Sequence, residues 1–130
     1  MATQKPFGTL LIFDLKECNC KNTLDNRPKL ERFLEILVNE IMGMKRIGSA
    51  IFEYFPANEF NIENDLVGYS ITQIISMSSI TIHICDISSK IYLDIFTCCC
   101  ITDKIMKDIQ DLVNFTFKPT KIEQKTIERL

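Results

Sequence analysis

The sequence is poor in several residues and patterns that mark common classes of protein. It has no tryptophan, one histidine, and only four glycines and four prolines in 130 residues. No apolar run is long enough to cross a bilayer, and the N-terminal region joins a short apolar stretch to acidic residues, unlike a secretory signal. No block of like charges is present and the formal net charge is -2, which gives a nucleic-acid surface little support. We expect a cytoplasmic protein that binds neither membrane nor nucleic acid.

Cysteine is plentiful by contrast. The six cysteines are Cys18, Cys20, Cys85, Cys98, Cys99 and Cys100. The motifs CNC and CCC lack the two-residue separation with which paired thiolates usually hold zinc. A chain without an export signal and with 46% hydrophobic residues has an adequate core and does not need disulfides. We therefore expect free thiols and no metal site.

The length fits one domain, residues 1–130, with the element order strand, helix, four strands, helix, strand. TLLIFDLKE is rich in strand-forming residues and should be the first strand. The first helix should begin at a cap formed by Asn26, with Pro28 in its first turn, because apolar residues follow at helical spacing. It should end at Gly43.

The second half of the chain is predicted to consist mainly of strands. A strand of alternating pattern should stop at Pro56, and the segment ANEFNIEND then reads as a loop. Three more strands are expected in LVGYSITQIIS, SITIHIC and KIYLDIFTC, followed by a helix capped by Thr102. We expect an extended FTFKPTKIE and a mobile QKTIERL tail at the end of the sequence.

These elements predict an α+β fold, a two-layer sandwich with a mainly antiparallel sheet and two helices on one face. Short links make the middle strands antiparallel, and two amphipathic helices are enough to cover only one face of the sheet. The uncovered face is the expected place for a ligand or a second subunit. Polar residues expected there are Ser70, Thr72, Gln73, Thr81 and His83.

The segment SMSSITIHICDISSKIYLDIFTCCC places the histidine between a serine cluster and the cysteine triplet. If DISS closes a tight turn, opposed residues have numbers that sum to 175, so Cys98 lies opposite Met77 and beside the Met77–Ser78 bond. His83 is five residues past Ser78, and a regular strand would put their side chains on opposite faces. A direct link between them requires a bulge between Ser78 and Ile80. Purely structural roles for these residues also fit the pattern.

The motif SMSSITIH, with Cys98 in LDIFTC, resembles a segment of the short, prokaryotic-type S-adenosylmethionine decarboxylases. That segment carries the family's self-cleavage serine, processing histidine and catalytic cysteine. GYSITQIISMS resembles the family's preceding strand, and GTLLIFDLKEC resembles its first strand. Four positions match in register: Ser70, Ser78, His83 and Cys98. The similarity covers most of the chain, although the loop Ala57–Asp65 is longer than usual.

The resemblance implies a self-processing enzyme with the decarboxylase fold. The Ser78 hydroxyl would attack the Met77 carbonyl, giving a β chain of residues 1–77 and an α chain of residues 78–130. Ser78 would become a pyruvoyl group, which forms a Schiff base with the substrate amine and accepts electrons as CO2 leaves. No free cofactor is then needed.

The resemblance also implies roles for the other matched residues. His83 would take the α-proton of Ser78 during processing, Ser70 would help to hold the cyclic intermediate, and Cys98 would donate a proton during decarboxylation. The product would be the aminopropyl donor for spermidine synthesis. A homodimer, with its sites near the subunit contact, is expected from the resemblance and from the uncovered sheet face.

Four further residues are expected to bind the substrate. A sulfonium is cationic, so Asp14 or Glu17 on the first strand should favour it electrostatically. Phe13 or Phe55 should offer a stacking face for the adenine.

The sequence departs from the family pattern beside the predicted cut. Met77 stands where many relatives have glutamate, and Ser79 stands where a histidine is frequent. Two other interpretations therefore stay open. One is a pyruvoyl-dependent decarboxylase of an amino acid such as arginine or ornithine, since pocket residues choose the amine. The other is an uncleaved homologue that acts as a binding or regulatory subunit.

Overall fold

The computed structural model describes residues 7–19 and 26–130. The strands are β1 (Gly8–Lys16), β2 (Ile47–Phe55), β3 (Gly68–Ile75), β4 (Ser78–Cys85), β5 (Lys90–Thr97) and β6 (Lys121–Arg129). The helices are α1 (Arg27–Glu35), which continues as a π-helical segment (Ile36–Ile41), α2 (Glu59–Glu63) and α3 (Asp103–Phe117). Among these residues no helix is both long and apolar enough to span a membrane.

The six strands form one antiparallel sheet in the order β2-β3-β4-β5-β1-β6. Two-residue and four-residue turns join β3 to β4 and β4 to β5, so these three strands are adjacent both in the chain and in the sheet. The predicted register of the second hairpin is confirmed, since Cys85 pairs with Lys90 and His83 pairs with Tyr92.

The core lies between one face of the sheet and the helices. Alternate residues of the central strands are buried there, as the period of two requires. Phe33 of α1 and Phe117 of α3 meet edge to face, with ring centroids 5.0 Å apart. Burying a side chain of this kind contributes roughly 1.5–3 kcal/mol. The predicted two-layer α+β sandwich is therefore confirmed, and we call the other side of the sheet the open face.

The two helix starts differ in how their first N–H groups are satisfied. The hydroxyl of Thr102 accepts the N–H of Ile105 at 3.2 Å, which confirms the predicted cap of α3. The Asn26 side chain makes no cap hydrogen bond, and its backbone carbonyl accepts the N–H of Lys29 at 3.0 Å instead. The side-chain cap predicted at Asn26 is wrong, because its backbone dihedrals are not those of a typical cap.

Three predictions for the poorly patterned segments are also wrong, in whole or in part. The predicted loop ANEFNIEND contains the short helix α2, and α3 continues through Phe117, so that FTF is helical rather than extended. The predicted mobile tail belongs to β6, which pairs with β1 from Gly8 opposite Arg129 to Lys16 opposite Lys121. The reason is that β1 would otherwise be an edge with unpaired backbone groups, and β6 satisfies them.

Gln73 was predicted for the open face, but its side chain is buried on the helix side with 1% exposure. The register of β2 shifts between Ile47 and Ile51, where Gly48 has a φ of 70°. The Gln73 amide donates to the carbonyls of Ile47 and Gly48, and it accepts from Arg46 Nε at 2.7 Å. Gln73 therefore satisfies backbone groups that the irregular strand leaves without ladder partners.

Candidate active site

The first candidate group lies where the β3–β4 turn meets the end of β5. Ser78 opens β4, and its side chain is 3% exposed. Its Oγ accepts the N–H of Cys98 at 3.1 Å and lies 3.7 Å from Cys98 Sγ. Met77 is 65% exposed, so the Met77–Ser78 bond sits at the boundary between solvent and core. The structure thus brings Ser78 and Cys98 together.

The turn before this bond holds an unusual backbone conformation. Ser76 has a φ of 51°, in the left-handed region that non-glycine residues seldom adopt. Such a conformation costs about 1–2 kcal/mol. Because Ile75 and Ser78 pair on either side of the turn, the ladder holds Ser76 in place. The bond predicted to be cut therefore follows a strained two-residue turn.

A buried hydroxyl adjoins Ser78 on the helix side. Thr97 is 0% exposed, and Ser78 Oγ donates to Thr97 Oγ1 at 3.4 Å. Thr97 Oγ1 in turn accepts the N–H of Cys99 at 3.1 Å and donates to Cys99 Sγ at 3.0 Å. Ser78 is therefore part of a hydrogen-bonded group that includes two cysteines.

The second candidate group lies on the open face. Ser70 of β3 and His83 of β4 are cross-strand partners, and Ser70 Oγ is 2.8 Å from His83 Nδ1. This bond fixes the orientation of the imidazole ring. The structure thus brings Ser70 and His83 together, with the imidazole accessible to a molecule above the sheet.

The two groups are separate within one chain. β4 pairs with β3 without interruption from Ser78 to Cys85, so the bulge required for direct contact is not present. Ser78 faces the helices, whereas His83 faces the open side. Five residues of regular strand also place them about 17 Å apart along β4. The structure does not bring His83 to Ser78 in one chain.

His83 occupies the middle of a row of cross-strand partners on the open face. In order across the sheet the row is Glu53, Ser70, His83, Tyr92, Asp14 and Glu123. A cavity of about 420 Å³ opens beside Ser70 and His83, and Phe55, Cys85 and Tyr92 help to line it. This volume is in the range of small-molecule sites. The row combines an imidazole, two hydroxyls and three carboxylates, and its Ser70, His83 and Tyr92 line the cavity.

The four predicted substrate-binding residues fall in different places. Phe55 is half exposed in the cavity wall, and Asp14 is next to Tyr92 in the row. Phe13 is 0% exposed and packs under the helices, so its assignment as an adenine-stacking face is wrong. Glu17 follows β1, outside the cavity lining, and its carboxylate accepts from the Thr120 hydroxyl.

One carboxyl group near the cavity is electrostatically unusual. Burial raises the pKa of Asp86, which follows Cys85 at the end of β4. Within residues 7–19 and 26–130 neither of its oxygens has a hydrogen-bond partner. The charged form of Asp86 is therefore disfavoured in the folded protein.

The described residues offer no candidate site for a metal ion. No cluster of three histidine, cysteine or acidic side chains is placed to hold a metal ion there. The cysteines of the CCC motif, Cys98, Cys99 and Cys100, are free thiols. Cys20 lies outside the described residues, so the prediction of a free thiol there stays a prediction.

Sequence reasoning missed several residues in these groups, among them Thr97 and Glu53. Thr97 follows from the predicted register, because extending the sum of 175 by one step places it opposite Ser78. Glu53 depends on the pairing of β2 with β3, which the irregularity after Ile47 shifts. No local pattern in the sequence marks that shift.

Comparison with known proteins relates the whole chain to one family. The sequence model of a family described as S-adenosylmethionine decarboxylase matches residues 9–130. The crystal structure of the adenosylmethionine decarboxylase from Aquifex aeolicus VF5 matches with a TM-score of 0.70 and 18% sequence identity, over 97% of this chain and 92% of that chain. At this identity the structural likeness establishes a common fold. No curated protein sequence matches significantly.

Proposed function

The chain belongs to the S-adenosylmethionine decarboxylase family of carboxy-lyases, and on this premise we propose that it decarboxylates S-adenosylmethionine after cutting its own Met77–Ser78 bond. The observation that carries the proposal is the position of Ser78 Oγ, 3.1 Å from the N–H of Cys98 and 3.7 Å from its thiol. A nucleophile and a proton donor therefore lie together beside a peptide bond at the boundary between solvent and core.

The cleavage uses only atoms of the chain and water. Ser78 Oγ bonds to the Met77 carbonyl carbon as the C–N bond breaks, and the hydroxyl proton ends on the Ser78 nitrogen. Removal of the Ser78 α-proton then breaks the Cβ–O bond and frees the Met77 carboxylate. Water replaces the nitrogen, which leaves as ammonia, and the former serine is left as a pyruvoyl group. The products are a β chain of residues 1–77 and an α chain of residues 78–130.

The surroundings of Ser78 fit this group. Bound covalently at the start of β4, the pyruvoyl carbonyl supplies an electron sink for the loss of CO2, so no free cofactor is required. Cys98 holds its thiol within reach of this position and is the proposed donor to the substrate carbon. Burial of Ser78 excludes bulk water, which would otherwise compete as a proton source.

We infer that a second copy of the chain supplies the processing residues. Within one chain about 17 Å of regular strand separates His83 from Ser78. If two open faces meet about a two-fold axis that runs across the strands, the Ser78 end of one β4 lies over the His83 end of the other. His83 of one chain then takes the α-proton of Ser78 in the other chain, with Ser70 holding its ring.

The open face has the composition of a surface that another chain covers. Strands β2, β3 and β6 expose a set of isoleucines on this face: Ile47, Ile51, Ile74 and Ile127. Each is about half exposed, and burying them would remove apolar area from water. The same contact would close the cavity beside His83 and complete the substrate site.

The row of cross-strand partners on the open face suits a sulfonium substrate. Asp14 and Glu53 lie on either side of the Tyr92 and His83 pair, and carboxylates attract a cationic sulfur. Phe55 and Tyr92 offer aromatic faces in the cavity wall, to which an adenine or a cation is able to bind. The product would serve as the aminopropyl donor for spermidine synthesis.

The experiment is a measurement of CO2 release by the purified protein from carboxyl-labelled S-adenosylmethionine, arginine and ornithine. The proposal predicts release from S-adenosylmethionine alone, with loss of activity in Cys98→Ala. Release only from an amino acid would reassign the substrate. An intact chain that releases CO2 from none of the three would support the uncleaved binding or regulatory subunit.

A further inference from the structure

We propose that Thr97 is a positioning residue for self-cleavage, holding the Ser78 hydroxyl for attack, and that Cys99 holds Thr97 in turn. This inference rests on the proposed function. It assigns a role to the middle cysteine of the CCC motif, which the decarboxylation chemistry does not use.

The three side chains form a short series of hydrogen bonds, in which the two hydroxyls are buried and the thiol of Cys99 is partly exposed. Ser78 and Thr97 are 3% and 0% exposed. Ser78 Oγ lies 3.4 Å from Thr97 Oγ1, which lies 3.0 Å from Cys99 Sγ. Because water does not reach these hydroxyls, their hydrogen bonds depend on their protein neighbours.

Two backbone N–H groups set the direction of donation in this series of hydrogen bonds. The N–H of Cys98 donates to Ser78 Oγ at 3.1 Å, and the N–H of Cys99 donates to Thr97 Oγ1 at 3.1 Å. Each hydroxyl oxygen is thus an acceptor for the backbone. Of the acceptors open to the hydroxyl protons, Thr97 Oγ1 is nearer to Ser78 Oγ than Cys98 Sγ is, at 3.4 Å against 3.7 Å. Likewise, Cys99 Sγ is nearer to Thr97 Oγ1 than Met44 Sδ is, at 3.0 Å against 4.0 Å. The order of donation is Ser78 to Thr97 to Cys99.

This arrangement prepares Ser78 for its reaction. Attack on the Met77 carbonyl needs the Ser78 side chain in one rotamer with a free lone pair on Oγ. Thr97 fixes the rotamer and accepts a hydrogen bond from the Ser78 hydroxyl, and a hydrogen bond of this kind polarises the O–H bond. When the Oγ–C bond forms and the C–N bond breaks, the proton passes to the Ser78 nitrogen. Thr97 gains and loses no atoms in this step.

The test compares cleavage rates of matched variants. Thr97→Val keeps the shape of the side chain and removes its hydroxyl, whereas Thr97→Ser keeps the hydroxyl. Thr116→Val is the control, because Thr116 is another buried threonine and lies in α3, away from Ser78. Each full-length chain is made by cell-free translation, and the fragments of residues 1–77 and 78–130 are followed over time by gel and mass spectrometry. Thermal unfolding of each variant reports whether it has folded.

We expect Thr97→Val to cleave about tenfold more slowly, the effect of losing one hydrogen bond to a reacting oxygen. Thr97→Ser should restore most of the rate, and Thr116→Val should match the parent. Cys99→Ala should cleave about threefold more slowly, as expected for a weak sulfur acceptor one step away, and Cys99→Ser should be faster than Cys99→Ala.

Several results would overturn the inference. Equal rates for the parent and a folded Thr97→Val would do so, and so would a faster Thr97→Val. If Thr97→Val does not fold, equal rates for Cys99→Ala and the parent decide against the chain of hydrogen bonds. A parent chain that never cleaves would overturn the proposed function itself, which separates that failure from failure of this inference.

Discussion

The two ends of strand β4 each carry a polar, reactive side chain, but the two side chains lie in opposite surroundings. At its start, Ser78 is buried against the helix layer and contacts Thr97 and Cys98. Toward its other end, His83 lies on the open face and contacts Ser70. The first group holds a buried hydroxyl beside the exposed thiol of Cys98, and the other holds a hydroxyl and an exposed imidazole on the open face.

The difference shows how a regular strand distributes reactive residues: an odd spacing places two side chains on opposite faces of the sheet, and an even spacing places them on the same face. Five residues reverse the face, so the nucleophile and the proposed base belong to different sides of the sheet. In our account this separation gives the two roles to different chains. One chain provides the bond to be cut, and its partner provides the base. Substitutions that remove one of the two groups at a time test this separation.

The largest effect is expected at the buried end. Ser78→Ala removes the nucleophile and should abolish cleavage, leaving one chain of 15.0 kDa by mass spectrometry. Cys98→Ala should still yield both fragments but lower kcat by about 100-fold or more, as loss of a proton donor does. Continued cleavage of Ser78→Ala at the same bond would contradict the assignment of the nucleophile.

The next effect concerns the open end and the second copy. His83→Ala chains should cleave at least about 100-fold more slowly when made alone, because the base is missing. Co-expression with Ser78→Ala chains should restore cleavage of the His83→Ala chain, since its Ser78 then meets an intact His83 on the partner. Mass tags on the two chains identify which one is cut.

The control for that experiment is a partner chain with both substitutions, Ser78→Ala and His83→Ala, which should rescue nothing. Sedimentation of the parent should show a dimer at the working concentration. A monomer that cleaves at the full rate would refute the division of roles between two chains.

A pair of phenylalanines compares the two faces of the sheet. Phe13→Ala should lower the free energy of unfolding by about 3–5 kcal/mol, because it leaves a cavity under the helices. Phe55→Ala should change it by less than about 0.5 kcal/mol, because Phe55 is half exposed. Phe55→Ala should instead raise KM for S-adenosylmethionine. Denaturant unfolding and steady-state kinetics measure the two effects, and a stable Phe13→Ala would be inconsistent with the observed core.

The smallest effect is expected at Asp86. Burial raises its pKa in the folded state, so the native chain binds this proton more tightly than the unfolded chain. Its contribution to stability is therefore lost as the pH rises from the usual aspartate range through the raised pKa. Asp86→Asn should be more stable than the parent at pH 7, and the difference should shrink at about pH 3.5, below the usual aspartate pKa. Thermal melts at both pH values measure it, and an equal difference at the two pH values would argue against this cause.

Local patterns predicted most of the fold. The DISS turn fixed the β4–β5 register, and with it the approach of Cys98 to the bond before Ser78. The first strand was harder to orient, because TLLIFDL is apolar on both faces and its parity does not show that Phe13 points inward. A final strand was expected, but of β6 only its first residues, KIE, were placed in it. The rest was missed because nearly all side chains of β6 are exposed and its pairing depends on the free edge of β1.

Some features of the candidate site likewise follow from local sequence patterns, and others depend on the whole fold. The pairs Ser70–His83 and Ser78–Cys98 follow from cross-strand register, which short turns determine. The cavity beside His83 and the row of carboxylates require the order of all six strands, which depends on contacts between residues far apart in the chain.

The most direct test of the account is the intact mass of the purified parent protein, with sequencing of any new N-terminus by tandem mass spectrometry. The account predicts two fragments, of which the one beginning at position 78 carries a pyruvoyl group in place of serine. A single chain at 15.0 kDa, or a fragment that begins with an unmodified serine, would contradict it.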